Sequence, residues 1–167
     1  MLYKFLSGLA KGVTHRIFRV KVVGKENVPK DGGMILAVNH KSNWDPIFAG
    51  AYCPRPLRFM AKADLFKNKL FGGLIKKLGA FPIQRGRGDI GAIKGAFSIL
   101  KNNDAMLIFP EGHRIKNGKR VKAKLGVSMI AVYAKVPVIP LCISGEYKPF
   151  QKVTVTFGKP ITFEEYY

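Results

Sequence analysis

Residues 34–45 read Met34-Ile35-Leu36-Ala37-Val38-Asn39-His40-Lys41-Ser42-Asn43-Trp44-Asp45. The first five are continuously apolar, and a run that short suits a strand buried on both faces of a sheet. The turn residues Lys30-Asp31-Gly32-Gly33 lead into it, and a polar segment leads out toward a helical stretch at about 46–52. Outward from this unit the pattern repeats. Short apolar runs recur at Leu57–Ala61, Ala80–Ile83, Ala105–Phe109 and Val136–Ile143, with helical stretches at about 64–78, 89–101 and 121–134. Strands alternating with helices predict a single-domain α/β fold with a mixed, largely parallel sheet covered by helices. Phe18, Val20 and Val22 alternate with Arg19, Lys21 and Val23 as in a half-exposed strand. Val153–Phe157 alternates too, predicting an edge strand. Pro137 and Pro140 each remove a ladder donor, which places their strand at an edge or at a bend.

Composition narrows the class. With 167 residues the chain makes one domain, and 47% hydrophobic content with 11% aromatics is enough to bury a core. Cys53 and Cys142 lie far apart, which argues against a disulfide scaffold or a cysteine-rich zinc site, and Cys142 in its apolar run is expected to be a buried, inert thiol. The longest stretches without a charged residue, Leu125–Ala134 and Val136–Gly145, fall well short of the roughly 20 residues a membrane span needs. No secretory leader is evident, so the expected location is the cytoplasmic side of the cell. Against this stands a net charge of +19, from 29 Lys plus Arg and 10 Asp plus Glu, which calls for a polyanionic partner. Nucleic acid is the weaker choice: the aromatics fall in core runs and no RNP-like, helix-turn-helix or zinc-finger pattern occurs. An anionic membrane surface is the stronger one, and the cluster Lys116, Lys119, Arg120, Lys122 and Lys124 reads as a solvated face or a surface for anionic lipid.

Residues 1–16 set Leu2, Phe5, Leu6, Leu9 and Val13 on one helical face and Lys4, Lys11 and His15 on another. This predicts an N-terminal basic amphipathic helix ahead of a domain at 17–167, with membrane association as one use of its apolar face. Such a helix can also pack its apolar face on its own core.

In open α/β sheets, chemistry gathers at the carboxyl ends of the strands. His40 leaves the strand of Met34–Val38, and Asp45 five residues on is placed to hold one imidazole nitrogen while the other acts as a base. Ser42 sits too close to the histidine in sequence to complete a triad, and no G-x-S-x-G elbow is present. Phe109-Pro110-Glu111-Gly112-His113-Arg114 offers Glu111 for a hydroxyl and Arg114 for an anion. Gln84-Arg85-Gly86-Arg87-Gly88 offers a guanidinium fork for phosphate, without the pattern of a nucleotide loop. Lys62 follows the strand of Leu57–Ala61.

Four blocks occur in order: Asn39-His40-x4-Asp45, Gly79-Ala80-Phe81-Pro82-Ile83-Gln84-Arg85, Phe109-Pro110-Glu111-Gly112-x-Arg114 and Val136-Pro137-Val138-Ile139-Pro140. Together with Val22-x-Gly24-x-Glu26-Asn27-x-Pro29 and Lys62-Ala63-Asp64-Leu65, they closely resemble the motifs of the 1-acylglycerol-3-phosphate acyltransferase family over about residues 18–160. The resemblance implies acyl transfer from acyl-CoA or acyl carrier protein to the 2-hydroxyl of lysophosphatidic acid. It makes His40 the general base and Asp45 its orienter. Arg85, Glu111, Gly112 and Arg114 would then form the acceptor and phosphate site, and Lys62 would lie near the thioester. No cofactor or metal is expected. His113 stands where the family usually has threonine, and the chain is short for the family. The same resemblance would also cover another lysophospholipid or an acylated amine as acceptor.

Overall fold

The computed structural model describes residues 2–83, 90–115 and 122–166. Helix α1 (Leu2–Ile17) leads into β1 (Arg19–Val23), followed by β2 (Met34–Val38), α2 (Asp45–Tyr52) and β3 (Leu57–Lys62). Then come α3 (Lys69–Lys77), β4 (Ala80–Ile83), α4 (Ile90–Lys101), β5 (Ala105–Ile108), α5 (Gly126–Ala134), β6 (Val138–Gly145) and β7 (Lys152–Phe157). The seven strands form one sheet in the order β1-β7-β6-β2-β5-β3-β4. All neighbours are parallel except β6 and β7, which are antiparallel. The α/β expectation and the mixed, largely parallel sheet are what is found.

Alternation along β2 divides the core. Met34, Leu36 and Val38 pack with Phe48, Tyr52, Leu57, Leu107 and Ile139 on the face that carries α1 and α2. Ile35 packs with Ala96, Leu100, Met106 and Ile130 on the face carrying α4 and α5. Ile75 of α3 packs with Ala61 and Phe59, and Phe59 also joins the α2 face, so α1, α2 and α3 share one side of the sheet.

Several expectations need correction. The strand Lys152–Phe157 is interior, between β1 and β6, and β1 and β4 are the edges. Its alternation comes from one face being buried by Val153, Val155 and Phe157 while Thr154 and Thr156 are half-buried. The proline-bearing strand β6 is interior as well, paired with β2 through Ile35–Val138 to Val38–Leu141. Pro140 is tolerated because its missing donor falls between two partners on the β7 side. Val138 exchanges both backbone hydrogen bonds with Ile161, and the Pro140 carbonyl accepts from Gly158 N–H beyond the end of the β7 ladder. Cys142 is exposed, since along its face of β6 the covering thins from buried Val138 through half-buried Pro140. The stretch read as one helix over 64–78 breaks into a one-turn helix at Ala63–Phe66 and α3, capped by the Asn68 side chain accepting from Phe71 N–H. The last helix starts at Gly126 rather than 121.

The first helix forms as expected, and of the two uses open to its apolar face, packing on the core is not the one found. Its hydroxyl-bearing face docks on the core instead. Thr14 is fully buried, its hydroxyl sharing a hydrogen bond with Tyr52 Oη at 2.9 Å, and Ser7 donates to the Gly50 carbonyl. Tyr3 Oη accepts from Leu57 N–H. Leu2, Phe5, Leu9 and Val13 are exposed, Phe5 by 69%. Leu6 of the same stripe turns toward an apolar groove.

Candidate active site

The carboxyl ends of β2, β5, β6 and β3 lie side by side, and their outgoing loops build the site. His40 lies two residues past the end of β2. Its ring stacks on Phe109, which follows β5, with centroids 3.9 Å apart and planes 21° from parallel. Its Nδ1 lies 3.0 Å from Asp45 Oδ2. Its backbone carbonyl accepts from Ile115 N–H, tying the loop after β2 to the loop after β5. The imidazole keeps 16% exposure and Asp45 has none.

Asp45 is buried at the start of α2 because every polar demand on it is met. Oδ2 accepts from His40, from Lys41 N–H at 2.6 Å and from Ser42 N–H at 2.7 Å, while Oδ1 accepts from the Tyr147 hydroxyl. Burial pushes its pKa upward, but the bonds from His40, Tyr147, Ser42 and Lys41 together outweigh that and hold it below the ordinary carboxylate value. Tyr147 moves the other way. Burial and its bond to the carboxylate raise its pKa, so the phenol stays protonated and remains a donor. An ionised Asp45 can only accept, so Nδ1 carries the hydrogen and Nε2 is left with the lone pair of a base. The two backbone N–H groups after His40 are thus already committed to Asp45 and are not available to an oxyanion.

Around this dyad the other expected residues divide. Arg114 donates to Asn43 Oδ1 at 2.9 Å, which joins the β5 loop to the loop that carries His40. Glu111 Oε2 is buried and has no hydrogen-bond partner among the described residues. Gly112 adopts φ +72°, a left-handed conformation that favours glycine, and Lys124 lies over it, within 2.9 Å of where a Cβ would be. Lys124 is further fixed by its N–H donating to the Pro110 carbonyl. His113 is exposed. Lys62 ends β3 on the same carboxyl-end side of the sheet, where its ammonium pairs with Asp64 at 2.5 Å. Lys62 and Lys67 hold that exposed carboxyl down at about 2. Arg85, with Lys116, Lys119 and Arg120 of the basic cluster, lies outside the described residues.

Three contributors were not assigned a role in the sequence reading. Tyr147 lies 102 positions from Asp45, and only its place just after a strand that ends beside β2 hints at it. Phe109 precedes the Pro-Glu-Gly turn without any sign that it supports His40. Asn39 exchanges two hydrogen bonds with the backbone of Ile143, locking β2 to β6 immediately before His40. Beside α2, a groove of about 420 Å³ runs over Leu57, Phe59 and Leu107 between α1 and α3. It is walled by Leu6, Ala10, Ile47, Phe71 and Leu78, and reaches Pro46, the neighbour of Asp45.

A family model described as Acyltransferase matches residues 19–144. A 1-acyl-sn-glycerol-3-phosphate acyltransferase of Bacillus subtilis is 35% identical over 166 residues, 96% of this chain and 82% of that protein. One from Streptococcus pneumoniae is 34% identical, with 99% of this chain aligned to 64% of that longer protein. The crystal structure of the 1-acyl-sn-glycerophosphate acyltransferase PlsC from Thermotoga maritima superposes with a TM-score of 0.81. It is 28% identical and covers 98% of this chain and 72% of that one.

Proposed function

The chain belongs to the acyltransferase family of 1-acylglycerol-3-phosphate acyltransferases, and from that premise we propose that it moves a fatty acyl group from acyl-CoA or acyl carrier protein to the 2-hydroxyl of 1-acylglycerol-3-phosphate, with His40 as base. The observation that carries this reading is the pairing of His40 with the buried Asp45 just past the end of β2, which leaves Nε2 free among the described residues. A hydroxyl is a poor nucleophile and needs a base, whereas a thioester already has a good leaving group, so no covalent enzyme intermediate is required. Nε2 takes the hydroxyl proton as the oxygen attacks the thioester carbonyl. The tetrahedral adduct collapses with loss of the C–S bond, and the imidazolium returns the proton to the thiolate. Asp45 stabilises the imidazolium in between without itself taking the proton. Phe109 under the ring and Tyr147 on the far carboxylate oxygen keep the pair aligned.

Glu111 is positioned for the acceptor's glycerol, because its buried Oε2 still lacks a donor and a substrate hydroxyl supplies one. Arg85, two residues past the end of β4, is assigned to the phosphate, with Arg114 and Lys124 adding positive charge near the Glu111 turn. The acyl chain fits the groove that starts at Pro46, whose walls are almost wholly apolar.

Residues 1–16 serve as the membrane-association element. Among the described residues no helix is long and apolar enough to cross a membrane. The exposed stripe Leu2, Phe5, Leu9 and Val13 with neighbouring Lys4 and Lys11 suits adsorption to the anionic cytoplasmic leaflet from its surface. Purified protein given lysophosphatidic acid and a panel of acyl-CoA and acyl carrier protein donors is expected to release one free thiol per phosphatidic acid formed. Thiol release that does not depend on the lysophosphatidic acid would overturn the reading.

A further inference from the structure

Helix α3 has the same unusual surface as α1. Gly72 sits against the backbone of Phe66 so closely that a Cβ would lie 2.8 Å from it, and Ile75 is buried against Ala61 and Ala80. With the helix fixed in this rotation, Phe71 and Leu78 line the groove. Leu70 and Leu74, at the i and i+4 positions of the same flank that leads to Leu78, are turned outward, Leu70 with 88% exposure. Exposed Leu65 precedes them. Across the groove, Leu6 of α1 lines the wall while Leu2, Phe5 and Leu9 continue outward from it. The apolar groove is therefore rimmed on two sides by exposed apolar flanks on one face of the sheet. Water is a poor neighbour for such a rim, and contiguous apolar surface of this kind marks an interaction site.

Charge identifies the occupant. From Leu65 to Gly88 the sequence contains no acidic residue, and none occurs from Met1 to Lys25. Lys69, Lys76 and Lys77 of α3 and Lys4 and Lys11 of α1 are all exposed. Two carboxylate-free helices that pair apolar flanks with lysines match an anionic lipid surface. We propose that α3 is a second bilayer contact and that α1 and α3 together hold the mouth of the groove against the lipid, so that an acyl chain passes from bilayer to groove between them. The inference rests on the membrane role proposed above for α1.

The test keeps the two apart. A nitroxide is attached to Leu70→Cys, Phe5→Cys or Tyr133→Cys in the full chain carrying Cys142→Ser; Cys53 is left because it is buried with its thiol pushed up to about 11. Collision with oxygen and with a water-soluble nickel chelate is measured on vesicles of phosphatidylglycerol and phosphatidylcholine. Labels at 70 and 5 are expected to gain oxygen contact and lose nickel contact severalfold, while the label at 133, on α5 across the sheet, stays open to nickel. Protection at 5 without protection at 70 overturns the role of α3 and leaves that of α1. Protection at neither removes both. Spin–spin broadening at 70 in the absence of lipid overturns the inference in favour of a second copy of the chain on this flank. In parallel, Leu70→Asp with Leu74→Asp, neither of which lines the groove, is expected to weaken vesicle adsorption by roughly tenfold or more. Turnover of a dispersed short-chain substrate pair should be unchanged, and equal loss of both would reduce α3 to a structural role.

Discussion

Asp45 and Phe5 depart from ordinary protein anatomy in opposite directions. One is a carboxylate with no exposure at all, the other a phenyl ring exposed by 69%. Burying a charge is costly unless its hydrogen bonds are supplied, and around Asp45 they are: four donors converge on its two oxygens from His40, from the loop after it and from Tyr147. Around Phe5 nothing among the described residues supplies the missing apolar neighbour. Instead α1 is held to the body by Tyr3, Ser7 and Thr14, which reach Leu57, Gly50 and Tyr52. At the sheet end the fold compensates internally for a group it needs for chemistry. On the α1 face it leaves the compensation to a partner outside the chain, the lipid surface of our proposal.

If that contrast is sound, substitutions in the two regions separate stability from function. Asp45→Ala, which strands the donors that met the carboxylate, is expected to cost about 3–5 kcal/mol of folding stability along with turnover, measured by denaturant unfolding and thiol release. Tyr147→Phe removes one charge-assisted bond and is expected to cost about 1.5–3 kcal/mol. It also shifts the acid limb. Because folding lowers the Asp45 pKa, its contribution is present above the ordinary carboxylate range near about 4 and is lost as pH falls through the lower folded value. Without the Tyr147 donor that loss occurs at a higher pH, which an acid unfolding curve reads directly. Thr14→Val is isosteric and leaves the buried Tyr52 hydroxyl without its partner, for an expected loss of about 1–2 kcal/mol in thermal unfolding. Phe5→Ser is the smallest in stability, within about 0.5 kcal/mol. It is nevertheless expected to weaken sedimentation with anionic vesicles severalfold; unchanged sedimentation would remove Phe5 from the contact.

The same contrast explains how much was legible in the sequence. The buried strand Met34–Val38 and the His40–Asp45 spacing are local, so the apolar run and the polar turn after it specified both the strand and the dyad. The amphipathic pattern of residues 1–16 was equally visible, but periodicity says only that one face is apolar. Which face meets the core was decided by three hydroxyl contacts with Gly50, Tyr52 and Leu57, all remote in sequence. Alternation in Lys152–Phe157 reports one covered face and says nothing about whether a strand has neighbours on both sides, which is why it read as an edge. Pro140 likewise could not announce the Ile161 and Gly158 contacts that flank its missing donor. Tyr147 and Phe109 reach the dyad through tertiary structure alone.

The most direct test of the account is His40→Ala, assayed by thiol release with lysophosphatidic acid and an acyl thioester on anionic vesicles, alongside the thermal unfolding of the same sample. We predict turnover lower by about 10²–10⁴-fold with the unfolding transition retained. Undiminished turnover by the folded variant would contradict His40 as the base and with it the chemistry assigned to this end of the sheet.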